Sequence, residues 1–119
     1  MSVRAIRGAT QVAANTADAI SSGTAELLST MMKANSLEIA DVISVLLTAT
    51  PDLTATFPAV GAREVGFGAT PLICAVEIDV PGSLDRIVRV MLHCTWERED
   101  SVSHIYLHGA AELRRDIAQ

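Results

Sequence analysis

Ile87-Val88-Arg89-Val90-Met91-Leu92-His93-Cys94-Thr95-Trp96 is the stretch on which the fold turns. Its aliphatic, β-branched character reads as the longest strand of the chain. Side chains alternate along a strand, so Arg89 shares a face with Ile87 and Met91. An unpaired charge buried there is very costly, so Arg89 needs a partner or a cleft to point into. Just upstream, Thr70–Val80 reads as another strand, opened by Pro71, and it carries Glu77 among apolar neighbours. A structural ion pair between Glu77 and Arg89 is the simplest answer for both residues.

Further towards the N-terminus, Leu53–Arg63 is interrupted by Pro58 and Gly61 and reads as loop and short helix. Gly61, Gly66 and Gly68 read as loop flexibility. Val42–Thr48 is a continuous apolar run that suits a strand buried on both faces. Pro51 ends it. Ser36–Asp41 suits one turn of helix. Asn15-Thr16 opens a long helix, and Asn35 closes it. Ile20, Thr24, Leu27, Leu28, Met31 and Met32 share one face at helical spacing, as core residues do. The first strand starts at Ser2, contains Arg7 and ends near Gly8-Ala9-Thr10. Downstream, His104–Leu107 is a short fifth strand, with His104 and His108 flanking Tyr106 on one face. The tail, Leu113–Gln119, has no clear pattern.

The order is therefore β-α-β-(short helix)-β-β-β. It defines an α+β fold: a single domain, 1–119, with a mixed sheet and one long helix on one face. One helix covers only one face of such a sheet. The other face needs a partner, and self-association supplies one.

Composition narrows the function. Of 119 residues, 50% are apolar and 3% aromatic, and the net charge is −5. Few aromatics and an acidic pI of about 5.0 argue against nucleic acid and membrane surfaces as partners. No stretch is apolar enough to span a membrane, and the N-terminus lacks the apolar core of a signal peptide. Two cysteines, Cys74 and Cys94, are too few for a disulfide framework. A cytoplasmic setting follows as the expectation. Nine basic residues include a single lysine, Lys33. Arginine's planar fork matches carboxylates, which matters if several converge.

No familiar catalytic constellation is present. His104 and His108 lack a third partner for a metal site. Cys74 follows Leu72-Ile73 and reads as a packed thiol rather than a nucleophile. No Ser-His-Asp or Gly-rich phosphate motif occurs. Arg7, Glu77, Arg89 and Tyr106 remain, each a polar residue inside an apolar strand.

Val3-Arg4-Ala5-Ile6-Arg7-Gly8-Ala9-Thr10 closely resembles the opening of the monofunctional, non-helical α/β class of chorismate mutases. So do Leu47-Thr48-Ala49-Thr50-Pro51-Asp52-Leu53, Phe57-Pro58-Ala59 with Arg63-Glu64, and Cys74-Ala75-Val76-Glu77-Ile78-Asp79-Val80. Leu84 through Arg89-Val90-Met91, His104-Ile105-Tyr106-Leu107 and Leu113-Arg114 complete the resemblance, in order along nearly the whole chain. It implies a ferredoxin-like outline trimerising into a pseudo α/β barrel, with three active sites at subunit interfaces. It implies chorismate as substrate, rearranged to prephenate, with no metal and no cofactor.

The resemblance also implies roles. Arg89 meets the ether oxygen of the breaking bond and a carboxylate; Arg7 and Tyr106 bind carboxylate; Glu77 accepts the ring hydroxyl. Cys74 and Ile73 line the ring pocket, Phe57 and Ala59 wall its apolar side, and Arg63, Leu113 and Arg114 close its mouth. The sequence departs from the family at Val60, where a basic residue is usual, and in Val65–Pro71, which is one residue short. Arg115 stands where a proline is usual. Other readings of the same residues are a non-catalytic trimeric module binding a small carboxylate, a trimeric imine deaminase, and a structural trimer in which Glu77–Arg89 is only an interface pair.

Overall fold

Alternation along Ile87–Trp96 sorts that strand's side chains onto two faces, and the rest of the chain is arranged around the sorting. A computed structural model describes residues 2–114. Among them, β1 (Ser2–Gln11), β2 (Val42–Ala49), β3 (Leu72–Val76), β4 (Ile87–Trp96) and β5 (Ile105–Leu107) form one mixed sheet in the order β3-β2-β4-β1-β5. The long strand β4 is central and runs antiparallel to both β1 and β2. The edge pairs β1–β5 and β2–β3 are parallel.

Helix α1 (Ala17–Ala34) begins where the Thr16 hydroxyl accepts the Ala19 amide hydrogen, satisfying one of the first turn's free donors. It ends at Asn35, whose amide side chain donates to the Met31 and Ser103 carbonyls. Its apolar stripe, with Leu27, Leu28 and Met31 fully buried, packs on Ile6, Val45, Leu47, Val90 and Leu92. Gly8 lets Met31 lie directly on β1, where a Cβ would collide with its sulfur.

Helix α2 (Pro58–Glu64) starts on a proline, whose ring pre-sets the first turn, and packs beside α1. Gly61 sits inside α2, not in a loop as the sequence reading held. Its missing Cβ makes room for the Ser21 carbonyl of α1.

Three other expectations change. The third strand stops at Val76, so Glu77 lies just past it, although the Glu77 amide still donates to the Ala49 carbonyl. The run in β2 is not buried on both faces: Val45 and Leu47 are covered, but Leu46 is 44% exposed. The tail starts with order, as a 3₁₀ turn over His108–Arg114.

The second face of the sheet carries Val3, Leu46 and Ile73, all exposed. Among the described residues, one end of it is covered, where Ala110 and Leu113 of the 3₁₀ turn pack with Ala9, Ile87 and Tyr106.

Candidate active site

The site is laid out by strand register. Thr48, Arg89, Ala9 and Tyr106 are successive partners across β2, β4, β1 and β5, so they form one row on one face. Ile73, Leu46, Met91 and Arg7 form the neighbouring row. Register partners share a face, and Leu46 and Ile73 show it to be the open one. Strands lie about 4.8 Å apart, so Arg89 and Tyr106 stand about 10 Å apart at the main chain, with Arg7 about 7 Å along the strand. That spacing fits a compact, doubly charged molecule.

Glu77 joins this face from beyond β3. Its carboxylate accepts a hydrogen bond from the Thr48 hydroxyl through Oε2. The same oxygen lies 3.6 Å from Arg89 Nε, so the expected ion pair exists. Arg89 is half exposed in that pair. Solvent screening leaves such a pair worth about 0–1 kcal/mol, too little to explain an arginine mid-strand as a structural device. Glu77, Arg89, Thr50, Leu84, Ile87 and Leu113 line a small pocket of about 50 Å³. Tyr106 is held beside it by Ala9, Ile87 and Leu113.

Arg7 is positioned through its main chain, since its amide donates to His104 Nδ1 at 2.9 Å. The two histidines have separate partners: His104 supports β1, while His108 pairs with Glu26 of α1 at 3.0 Å.

Cys74 does not join Glu77. Its partner Leu47 is buried, and Cys74 packs against the core on the helix side. It lines a second cleft, of about 470 Å³, with Leu53, Phe57 and Pro58. The two clefts adjoin at Thr50, which lines both. Strand alternation thus separates Cys74 from Glu77.

Of the other expected residues, Phe57 is 71% exposed at the start of α2, and Arg63 is exposed near its end. Ala59 is 5% exposed and belongs to the core, so it offers a cleft little surface. Ile73 lies on the open sheet face, outside both clefts. Leu113 reaches the Arg89 pocket. The side chain of Arg114 and all of Arg115 lie outside the described residues. Sequence reasoning missed Thr48 and Thr50, because threonine is ordinary in a strand and signals nothing by itself.

A larger cavity, about 630 Å³, lies between the end of β1 and α1 and contains none of the expected residues. Its larger polar groups are engaged: Arg86 donates to the Val12 and Ala13 carbonyls, Gln11 donates to Asp85, and Glu26 holds His108. Among the described residues no three His, Cys, Asp or Glu side chains gather as a metal site requires, and no helix is long and apolar enough to cross a membrane.

Fold and site together define a small α+β protein that presents two arginines, a carboxylate and a phenol on one sheet face. Residues 3–117 match the family model described as chorismate mutase type I. The chain is 44% identical to chorismate mutase AroH of Thermus thermophilus over 97% of its length and 96% of that protein's. It is 39% identical to chorismate mutase AroH of Bacillus subtilis over 99% of its length and 94% of that protein's. The solved chorismate mutase of Clostridium thermocellum superposes with a TM-score of 0.88 at 48% identity, covering 92% of this chain and 98% of that one. The chain belongs to the type I chorismate mutase family.

Proposed function

We propose that the chain converts chorismate to prephenate at sites completed between copies of itself in a homotrimer. The observation that carries the site assignment is the convergence of Arg7, Glu77, Arg89 and Tyr106 on one open sheet face from four separate parts of the chain. Chorismate is a dicarboxylate, and a paired set of arginines suits it. The rearrangement is unimolecular: one C–C bond forms as one C–O bond breaks, with no proton removed and no covalent intermediate. Catalysis then consists of holding a compact chair-like conformer and stabilising the charge that builds on the ether oxygen.

Arg89 takes that oxygen. A fixed cation there interacts more strongly with the transition state than with the substrate, which is what lowers the barrier. Its guanidinium stays protonated near neutral pH. The weak, half-exposed contact with Glu77 opens readily to admit the substrate. Glu77 accepts the ring hydroxyl, and Arg7 and Tyr106 hold carboxylate.

One chain offers only part of a pocket. Val76, Ile78 and Phe57 are each at least 70% exposed around the β3 edge, in keeping with a neighbouring copy packing there. In this reading a neighbour's Phe57 and Arg63 close over the Arg89 pocket, and Leu113 and Arg114 seal its mouth. Cys74 contributes from the adjoining cleft. Both thiols are free, which fits a reducing, cytoplasmic setting.

The test is an ultraviolet assay of chorismate loss in the presence of a metal chelator, with prephenate confirmed after acid conversion to phenylpyruvate. Turnover that survives chelation and vanishes in Arg89→Ala supports the reading. A folded trimer without turnover points instead to a module that binds a small carboxylate.

A further inference from the structure

We infer that Thr48 is a positioning residue for the reaction: its hydroxyl sets how Glu77 and Arg89 divide their contacts between each other and the substrate. This rests on the active-site reading above. Thr48 and Arg89 are direct cross-strand partners, so the register of β2 against β4 places hydroxyl and guanidinium side by side. Both converge on the same oxygen of Glu77: the Thr48 hydroxyl donates to Oε2, and Arg89 Nε approaches Oε2 at 3.6 Å. Both of these contacts go to Oε2, so Oε1 is the oxygen placed to accept a substrate hydroxyl. Arg89 makes its contact through Nε and is half exposed, which leaves its two terminal nitrogens for the ether oxygen and a carboxylate.

Glu77 needs such a tether. It lies beyond the end of β3, fixed at the main chain by the single bond to Ala49. Without the hydroxyl, the lowest-energy partner for its carboxylate is Arg89 itself. Arginine and carboxylate favour a two-pronged pair, which would consume the donors the transition state requires. Thr48 thus competes with Arg89 for one oxygen and holds the ion pair at arm's length. The substitution most sensitive to this is Thr48→Val, which keeps shape and β-branching but deletes the donor.

Loss of a hydrogen bond to a charged group predicts a fall in kcat of roughly tenfold for Thr48→Val, with KM moving less than about threefold. Thr48→Ser keeps the hydroxyl and should stay within about threefold of wild type. In a Glu77→Gln background the same Thr48→Val change should cost less than about threefold, because the two residues act as a unit. Wild-type rates in Thr48→Val would overturn the inference. So would a Thr48→Ser variant as slow as Thr48→Val, which would make the methyl group the cause, or equal costs in both backgrounds. Each variant is first compared with wild type by light scattering and thermal unfolding. If Thr48→Val does not fold, Thr48→Ala, which also lacks the hydroxyl, decides the point by the same comparison in the wild-type and Glu77→Gln backgrounds. Arg89→Ala serves as control: if it retains turnover, the active-site reading fails, whereas a Thr48→Val at full speed beside an inactive Arg89→Ala refutes the tether alone.

Discussion

Arg89 illustrates how much a single residue can disclose. It is a charge inside an apolar strand, and its shape matters as much as its sign. Arg89→Lys keeps the charge but loses the planar fork, so kcat should fall roughly 10²–10³-fold, with folding and assembly intact. Steady-state kinetics on the purified variant check this; normal turnover would remove Arg89 from the mechanism. Arg7, Glu77 and Tyr106 stand out as candidates for the same reason, since each breaks an apolar pattern. Thr48 was not, because its side chain suits a strand whether or not it does chemistry. Cys94 gives a prediction of another kind. Burial, reinforced by Asp41, raises its thiol pKa above the ordinary value, while its S–H donates to the Arg4 carbonyl. The unfolded chain therefore loses this proton at lower pH than the native one. Native stability is complete below the unfolded thiol's pKa and declines as pH rises above it, at up to about 1.4 kcal/mol per pH unit. Denaturant unfolding across the alkaline range should show this slope in wild type and a shallower one in Cys94→Ala.

At the level of elements, caps and close approaches carry the stability. Thr16→Ala removes the α1 cap and should cost about 1 kcal/mol in denaturant unfolding at fixed protein concentration. Gly61→Ala should cost more, about 1–3 kcal/mol, because the added methyl meets the Ser21 carbonyl, backbone that cannot rotate away. A neutral Gly61→Ala would mean that α1 and α2 sit further apart than described. The helix α1 was legible from end to end: an apolar stripe between two capping residues is a local signal. Gly61 was misread because a glycine demanded by a neighbouring helix looks the same in sequence as one that relaxes a loop. Strand β3 was read too long for a related reason. Its apolar residues continue past Val76, but its pairing with β2 stops there, and pairing is not a local property.

At the scale of the whole molecule, the sheet's second face carries exposed apolar side chains, which the proposed trimer would cover. Light scattering should report three chains. Val3→Glu places a charge on the open face, in register with Thr95 and away from the Arg89 row. It should shift the protein towards monomer and lower activity in the same proportion. A monomeric Val3→Glu variant with full activity would show that one chain suffices for catalysis.

The amino-acid order alone determined the element order, the long helix with its caps, the mixed α+β class and the family. All of these are written in local periodicity or in motifs read along the chain. Tertiary structure alone decided which residues meet. Alternation turned Cys74 away from Glu77, register set Thr48 beside Arg89, and packing drew Ala59 into the core. These outcomes depend on which strands pair and where pairing stops, and that is settled by the free energy of the folded sheet rather than by any one segment.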